Sequence, residues 1–204
     1  MKVPSVEFRY SWIYDWHWKD LAEKEGVDYP TEEAIKDYMK IVEKLWRTKE
    51  KDILAELSAL TGLKWKEDKM RCYVVGKCRP FSDPLTIPVF KKYPDKFTYH
   101  LTHELIHQLF IQNREAIEPY RSYIDRKYKN ETLNTRFHIP VHAIHAHIYM
   151  KFYGESELAR EIDFLKRKNA TEYVRSWEIV MKTGHQKILK DFRRMVLHGR
   201  KGRV

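Results

Sequence analysis

A chain of 204 residues, 43% of them hydrophobic and 33% charged, can bury a sizeable core and is too apolar for a disordered polyelectrolyte. No apolar run approaches the roughly 18 residues that cross a bilayer, and the opening MKVPSVEFRYSW lacks the apolar segment of a secretion signal. The two cysteines, Cys72 and Cys78, have no metal-binding spacing, so free thiols in a reducing cytoplasm are expected, with no membrane partner.

In chain order, residues 10–25 read as a first helix carrying Tyr10, Trp12, Tyr14, Trp16 and Trp18, which helical geometry scatters around the axis as packing groups. Gly26 to Pro30 break the pattern. Thr31 can cap a long helix over 32–61, with Ile35, Met39, Val42, Trp46, Ile53, Leu57 and Leu60 as its apolar seam and Gly62 at its end. Two strands are expected at 71–75 (RCYVV) and 85–90 (LTIPVF), rich in β-branched and aromatic residues and bounded by Gly76 and Pro84. Pro88 removes a ladder donor, which places the second strand at an edge.

Asp95 can cap the next helix, 96–111, whose apolar face runs through Phe97, Leu101, Leu105, Ile106, Leu109 and Phe110. On it lies His103-Glu104-Leu105-Ile106-His107. Residues four apart share a face one turn apart, so the two imidazoles can meet one ion while Glu104 stands beside them. Two neutral nitrogen ligands and a carboxylate able to take a proton from an activated water are what a zinc hydrolase requires. His100, one turn earlier on the same stripe, reads as an ordinary polar residue. Further helices are expected at 114–128, from Pro140 in a first turn to Tyr153 before Gly154, at 156–168, at 171–182 and at 185–197.

HELIH on a helix resembles the active-site helix of the zincin metallopeptidases. The resemblance covers that helix closely and the flanking layout loosely. It implies a small sheet packed on the active helix, an edge strand to which an extended peptide could pair, and a third ligand from a later helix. A metzincin would carry a Gly and a third His where this chain has Phe110 and Asn113, so that branch is excluded. In gluzincins the third ligand is a glutamate on a downstream helix. Here the downstream helix instead carries His138, His142, His145 and His147. The first three share one face and His147 points elsewhere.

His142 is taken as the third ligand because Val141, Ala143 and Ala146 around it allow close helix packing; His138 is the alternative and His145 comes next. Glu155, Glu157 and Glu178 stay open as carboxylate ligands. Glu178, in the apolar run Trp177-Glu178-Ile179-Val180, could instead orient a histidine or face solvent.

The chain is therefore expected to be a single helix-rich α+β domain over 1–204, with N-terminal helices in 1–62, the strands and two histidine helices in 70–153, and terminal helices in 155–198. The expected function is a cytoplasmic zinc metallopeptidase in which His103, His107 and His142 bind Zn²⁺ and Glu104 acts as general base on a peptide or protein substrate. His138, His145, Tyr149 and Tyr153 are candidate donors to the oxyanion. The alternative is a non-catalytic zinc-stabilised domain binding a protein partner or nucleic acid. The net charge of +10, gathered at Lys166-Arg167-Lys168, Arg193-Arg194 and the tail Arg200-Lys201-Gly202-Arg203, leaves that partner open, although no nucleic-acid motif supports it.

Overall fold

Alternation of buried and exposed residues begins at the N-terminus, where Val6 and Phe8 point inward from a strand, β1 (Ser5–Arg9). The computed structural model describes residues 3–90 and 94–201, with side chains to residue 197; Gly202 and Arg203 of the basic tail, and the side chains of Arg200 and Lys201, lie outside the described residues. β1 pairs in parallel with β2 (Lys69–Val75), and β2 in parallel with β4 (Leu85–Pro88); β3 (Phe81–Ser82) adds antiparallel to β4, giving the order β1-β2-β4-β3. With a helix-rich remainder, the class is α+β. β1 was not among the expected strands, because five residues with a single alternation carry little signal.

Expected as an edge strand, β4 is instead flanked on both sides, though incompletely. β3 covers Leu85 and Thr86, while Ile87 and Pro88 pair with β2 alone. Val89 donates to the Val75 carbonyl at 3.0 Å, so the intervening Pro88 nitrogen faces away from β2 and its missing N–H costs no ladder bond.

The chain packs as two compact units: residues 1–55 with 65–108, and residues 56–64 with 109–204. The first holds the sheet with α1 (Trp12–Lys24), α2 (Glu32–Arg47), the start of α3 (Glu50–Thr61) and most of α4 (Asp95–Gln112). α1 lies against the sheet through Tyr14, whose ring meets Tyr73 at 5.3 Å and whose hydroxyl hydrogen-bonds Thr86 Oγ1 at 3.0 Å. Phe97 of α4 packs on Phe8 at 5.6 Å and on Tyr38 of α2 at 6.0 Å.

The expected 32–61 helix is two helices. At the corner between them Glu50, only 6% exposed, replaces an apolar seam residue and accepts from the Val6 amide, the Trp46 indole and the Arg47 guanidinium. A carboxylate that well supplied with donors can be buried, and it ties β1 to the corner.

The second unit is helical: α5 (Arg114–Lys127), α6 (Leu133–Phe152), α7 (Glu155–Arg167), α8 (Thr171–Thr183) and α9 (His185–Lys201). α6 is the central element, buried around nearly its whole circumference and packed on α7, α8 and α9. Its start differs from expectation. Thr132 caps it, its hydroxyl accepting from the Thr135 amide at 3.2 Å. Pro140 therefore sits two turns inside the helix, where it supplies no N–H to the Arg136 carbonyl. Among the described residues no helix is long and apolar enough to cross a membrane.

Candidate metal centre

The four-residue spacing of His103 and His107 does on α4 what helical geometry requires. Their rings are 4.9 Å apart and their Nε2 atoms 3.1 Å apart, with both residues buried. Two imidazole nitrogens cannot aim lone pairs at each other at that distance; either one carries a proton or a cation lies between them. Ligand nitrogens 2.0–2.1 Å from a tetrahedral zinc stand roughly 3.3 Å apart, so the pair fits such an ion with little adjustment.

Three buried histidines could hold a metal ion: His103, His107 and His138 can each offer a ring nitrogen, all within 4.8 Å of one another. His138 is the alternative named from sequence, and His142, the first choice, is not in this group. α6 starts early enough to hold His138 within the helix, where Nδ1 lies 2.8 Å from the Asn134 carbonyl. A carbonyl only accepts, so Nδ1 carries the proton and Nε2 the lone pair, the tautomer a metal ligand needs. Desolvation holds the His138 pKa below its usual value, despite the opposing Asn134 hydrogen bond and Glu172 charge, which favours the neutral form that binds metal. His142 instead stacks on Trp177, rings 4.3 Å apart and 9° from parallel, and His145 meets the Tyr149 ring edge-on at 5.0 Å.

Glu104 is 7% exposed, and burial raises its pKa to about 8. Cys72 and Cys78 are both free thiols, as expected. Burial pushes the Cys72 thiol well above its usual value and that of Cys78 to about 12, with the Glu104 charge a contributor to each. Neither is a reactive thiolate at neutral pH.

Glu178 lies on a solvated face, paired with Arg175 at 3.1 Å. Glu155 is exposed at the start of α7, and Glu157 pairs with Arg160. His147 points elsewhere, as expected, toward Glu56 at 2.8 Å. His100 is less ordinary than expected: it stacks on Phe90 at 4.8 Å, and burial, then the Lys96 charge, lower its pKa to about 4. Sequence reading missed Tyr173, whose ring lies 4.4 Å from that of His138, and the Asn134 carbonyl. Both signals depend on helix pairing and on where α6 begins. No family model matches the chain, and neither a curated protein nor a solved structure does.

Proposed function

We propose that the protein is a zinc-dependent metallopeptidase of zincin type, with His103, His107 and His138 holding the ion and Glu104 as general base. The observation that carries this reading is the buried pair of Nε2 atoms 3.1 Å apart on α4, beside a buried carboxylate that makes no competing ion pair among the described residues. A zinc ion bound there supplies Lewis acidity, bringing the pKa of water to about 7 and polarising a peptide carbonyl. Glu104 takes the proton released as water attacks that carbonyl and passes it to the departing amine. Asn134 holds the His138 ring in the right tautomer through its carbonyl. Tyr173, packed against His138, is the first candidate for a donor to the developing oxyanion.

The test combines metal analysis with cleavage of an unbiased peptide library. Wild type is expected to carry one zinc and to lose cleavage with chelator. His103→Ala and His138→Ala should lose the metal, whereas His142→Ala should keep it. Glu104→Gln should retain zinc and lose about 10²–10⁴-fold in rate. Zinc binding without cleavage of any peptide would leave the non-catalytic reading; wild-type turnover by Glu104→Gln would overturn the mechanism.

A further inference from the structure

The positive charge of the chain is unevenly divided. The unit that bears the sheet holds 18 Lys and Arg against 17 Asp and Glu, whereas the helical unit holds 21 against 12. Nearly all of the net +10 therefore belongs to the helical unit, and charge asymmetry on that scale points to a polyanionic partner.

α9 shows where part of it lies. Ile188, Leu189, Phe192 and Val196 turn into the core, none more than 6% exposed. The opposite side carries Lys187, Lys190, Arg193 and Arg194, all exposed. A charged run on a helix is ordinarily a solvated face whose charges cancel along it. On α1 and α2 that reading holds: Lys24 pairs with Asp20, Lys36 with Glu32 and Arg47 with Glu43. α9 has a single acid, Asp191, which takes Arg194 at 3.2 Å. Lys187, Lys190 and Arg193 form no ion pair among the described residues. Like charges three and four residues apart repel, and Lys187, in a first turn without an acid, also opposes the helix dipole. An external line of negative charge offsets both.

The rest of the face narrows the partner. Among the described residues of α9, Leu197 is the only exposed large apolar side chain, so the helix has no apolar face to sink into a bilayer. It equally lacks the aromatic and apolar anchors at the centre of most protein interfaces. What it offers is a row of point charges spanning about 10 Å along the axis. A nucleic-acid duplex carries one negative charge per roughly 1.7 Å of its own axis, so several phosphates fall within reach of that row.

We propose that the exposed face of α9 binds the phosphodiester backbone of a nucleic acid without sequence preference, through Lys187, Lys190, Arg193 and Arg194. The proposal is independent of the metal centre and of the peptidase reading.

Fluorescence anisotropy of short labelled DNA and RNA duplexes of one sequence, titrated with the full chain at several salt concentrations, tests it. At least one duplex is expected to bind, the tighter being the ligand. Its log affinity should fall with log salt at a slope of about −3.5 or steeper, as four phosphate contacts require. The triple variant Lys187→Gln, Lys190→Gln, Arg193→Gln should weaken binding at least about 30-fold near 0.05 M salt and reduce the slope by about 3. Removing as much charge with Lys166→Gln, Arg167→Gln and Lys168→Gln should weaken it less than about threefold, because α9 is untouched. All six positions are exposed; should the α9 triple variant still fail to fold, Lys190→Gln alone should reduce the slope by about 1. Chelation of zinc should leave duplex binding unchanged, which keeps this result separate from the fate of the peptidase reading. Equal weakening by the two triple variants, or polyglutamate binding as tight as that of either duplex, overturns the proposal. So does the absence of duplex binding, with or without capture of phosphatidylserine vesicles.

Discussion

Gly76 occupies a point where a β-carbon has no room: one would stand 2.4 Å from a ring carbon of Tyr29 and 2.7 Å from Pro30. The closeness serves Asp15, a 4% exposed carboxylate that accepts from the Gly76 amide at 2.9 Å and from the Tyr29 and Tyr10 hydroxyls. Burial, then the hydrogen bond to Asp15 and its charge, drive the Tyr29 phenol far above its usual pKa, so it stays a donor. Gly76→Ala is expected to destabilise the protein by about 1–3 kcal/mol, the cost of overpacking a closed site, read as a lower denaturant midpoint at unchanged slope. From sequence Gly76 was legible only as a strand boundary; that its bareness serves Asp15, 61 positions away, was not. The opposite holds for His103, Glu104 and His107. They were fully legible because four residues on a helix is a local relation, independent of what packs around it.

At the scale of elements, α6 and α8 hold each other through Trp177, 1% exposed and stacked on His142. Trp177→Ala should therefore cost about 3–5 kcal/mol in chemical unfolding, while zinc content per folded molecule stays unchanged. A second element-level link joins the end of α3 to α6, where Glu56 bonds His147 at 2.8 Å and Lys151 at 2.7 Å. Burial alone would raise the Glu56 pKa, but the hydrogen bonds from Lys151 and His147, with their charges, outweigh it and the net shift is downward. A carboxylate with a lowered folded pKa adds stability that is present above its unfolded value of about 4.3 and lost as pH falls through the folded one. Glu56→Gln should thus be less stable than wild type at pH 7, and the gap should close below about pH 4 in urea titrations across that range. Helix periodicity made most of these elements legible. It failed where a polar residue took a core position, as Glu50 does at the α2–α3 corner, and where Pro140 looked like a beginning but stood inside α6.

For the whole molecule, the proposed zinc site ties metal content to stability. An ion that binds the folded chain and not the unfolded one adds about 2.7 kcal/mol at a free concentration 100 times its dissociation constant. The melting temperature should fall on chelation and recover with added zinc, and neither change should occur in His103→Ala. The helix-rich α+β class, the helix bearing HELIH and the absence of a membrane-spanning helix among the described residues followed from periodicity and composition. Division into two compact units did not, because it depends on contacts between distant segments. The sequence by itself determined His103, Glu104 and His107 as a candidate metal pair and base, since backbone geometry alone puts them on one face of a turn. Only the tertiary structure groups His138, and not His142, with His103 and His107. His138 and His142 lie four residues apart on the same helical stripe, so what separates them is surroundings: a carbonyl that sets the tautomer of one, and the Trp177 ring that covers the other.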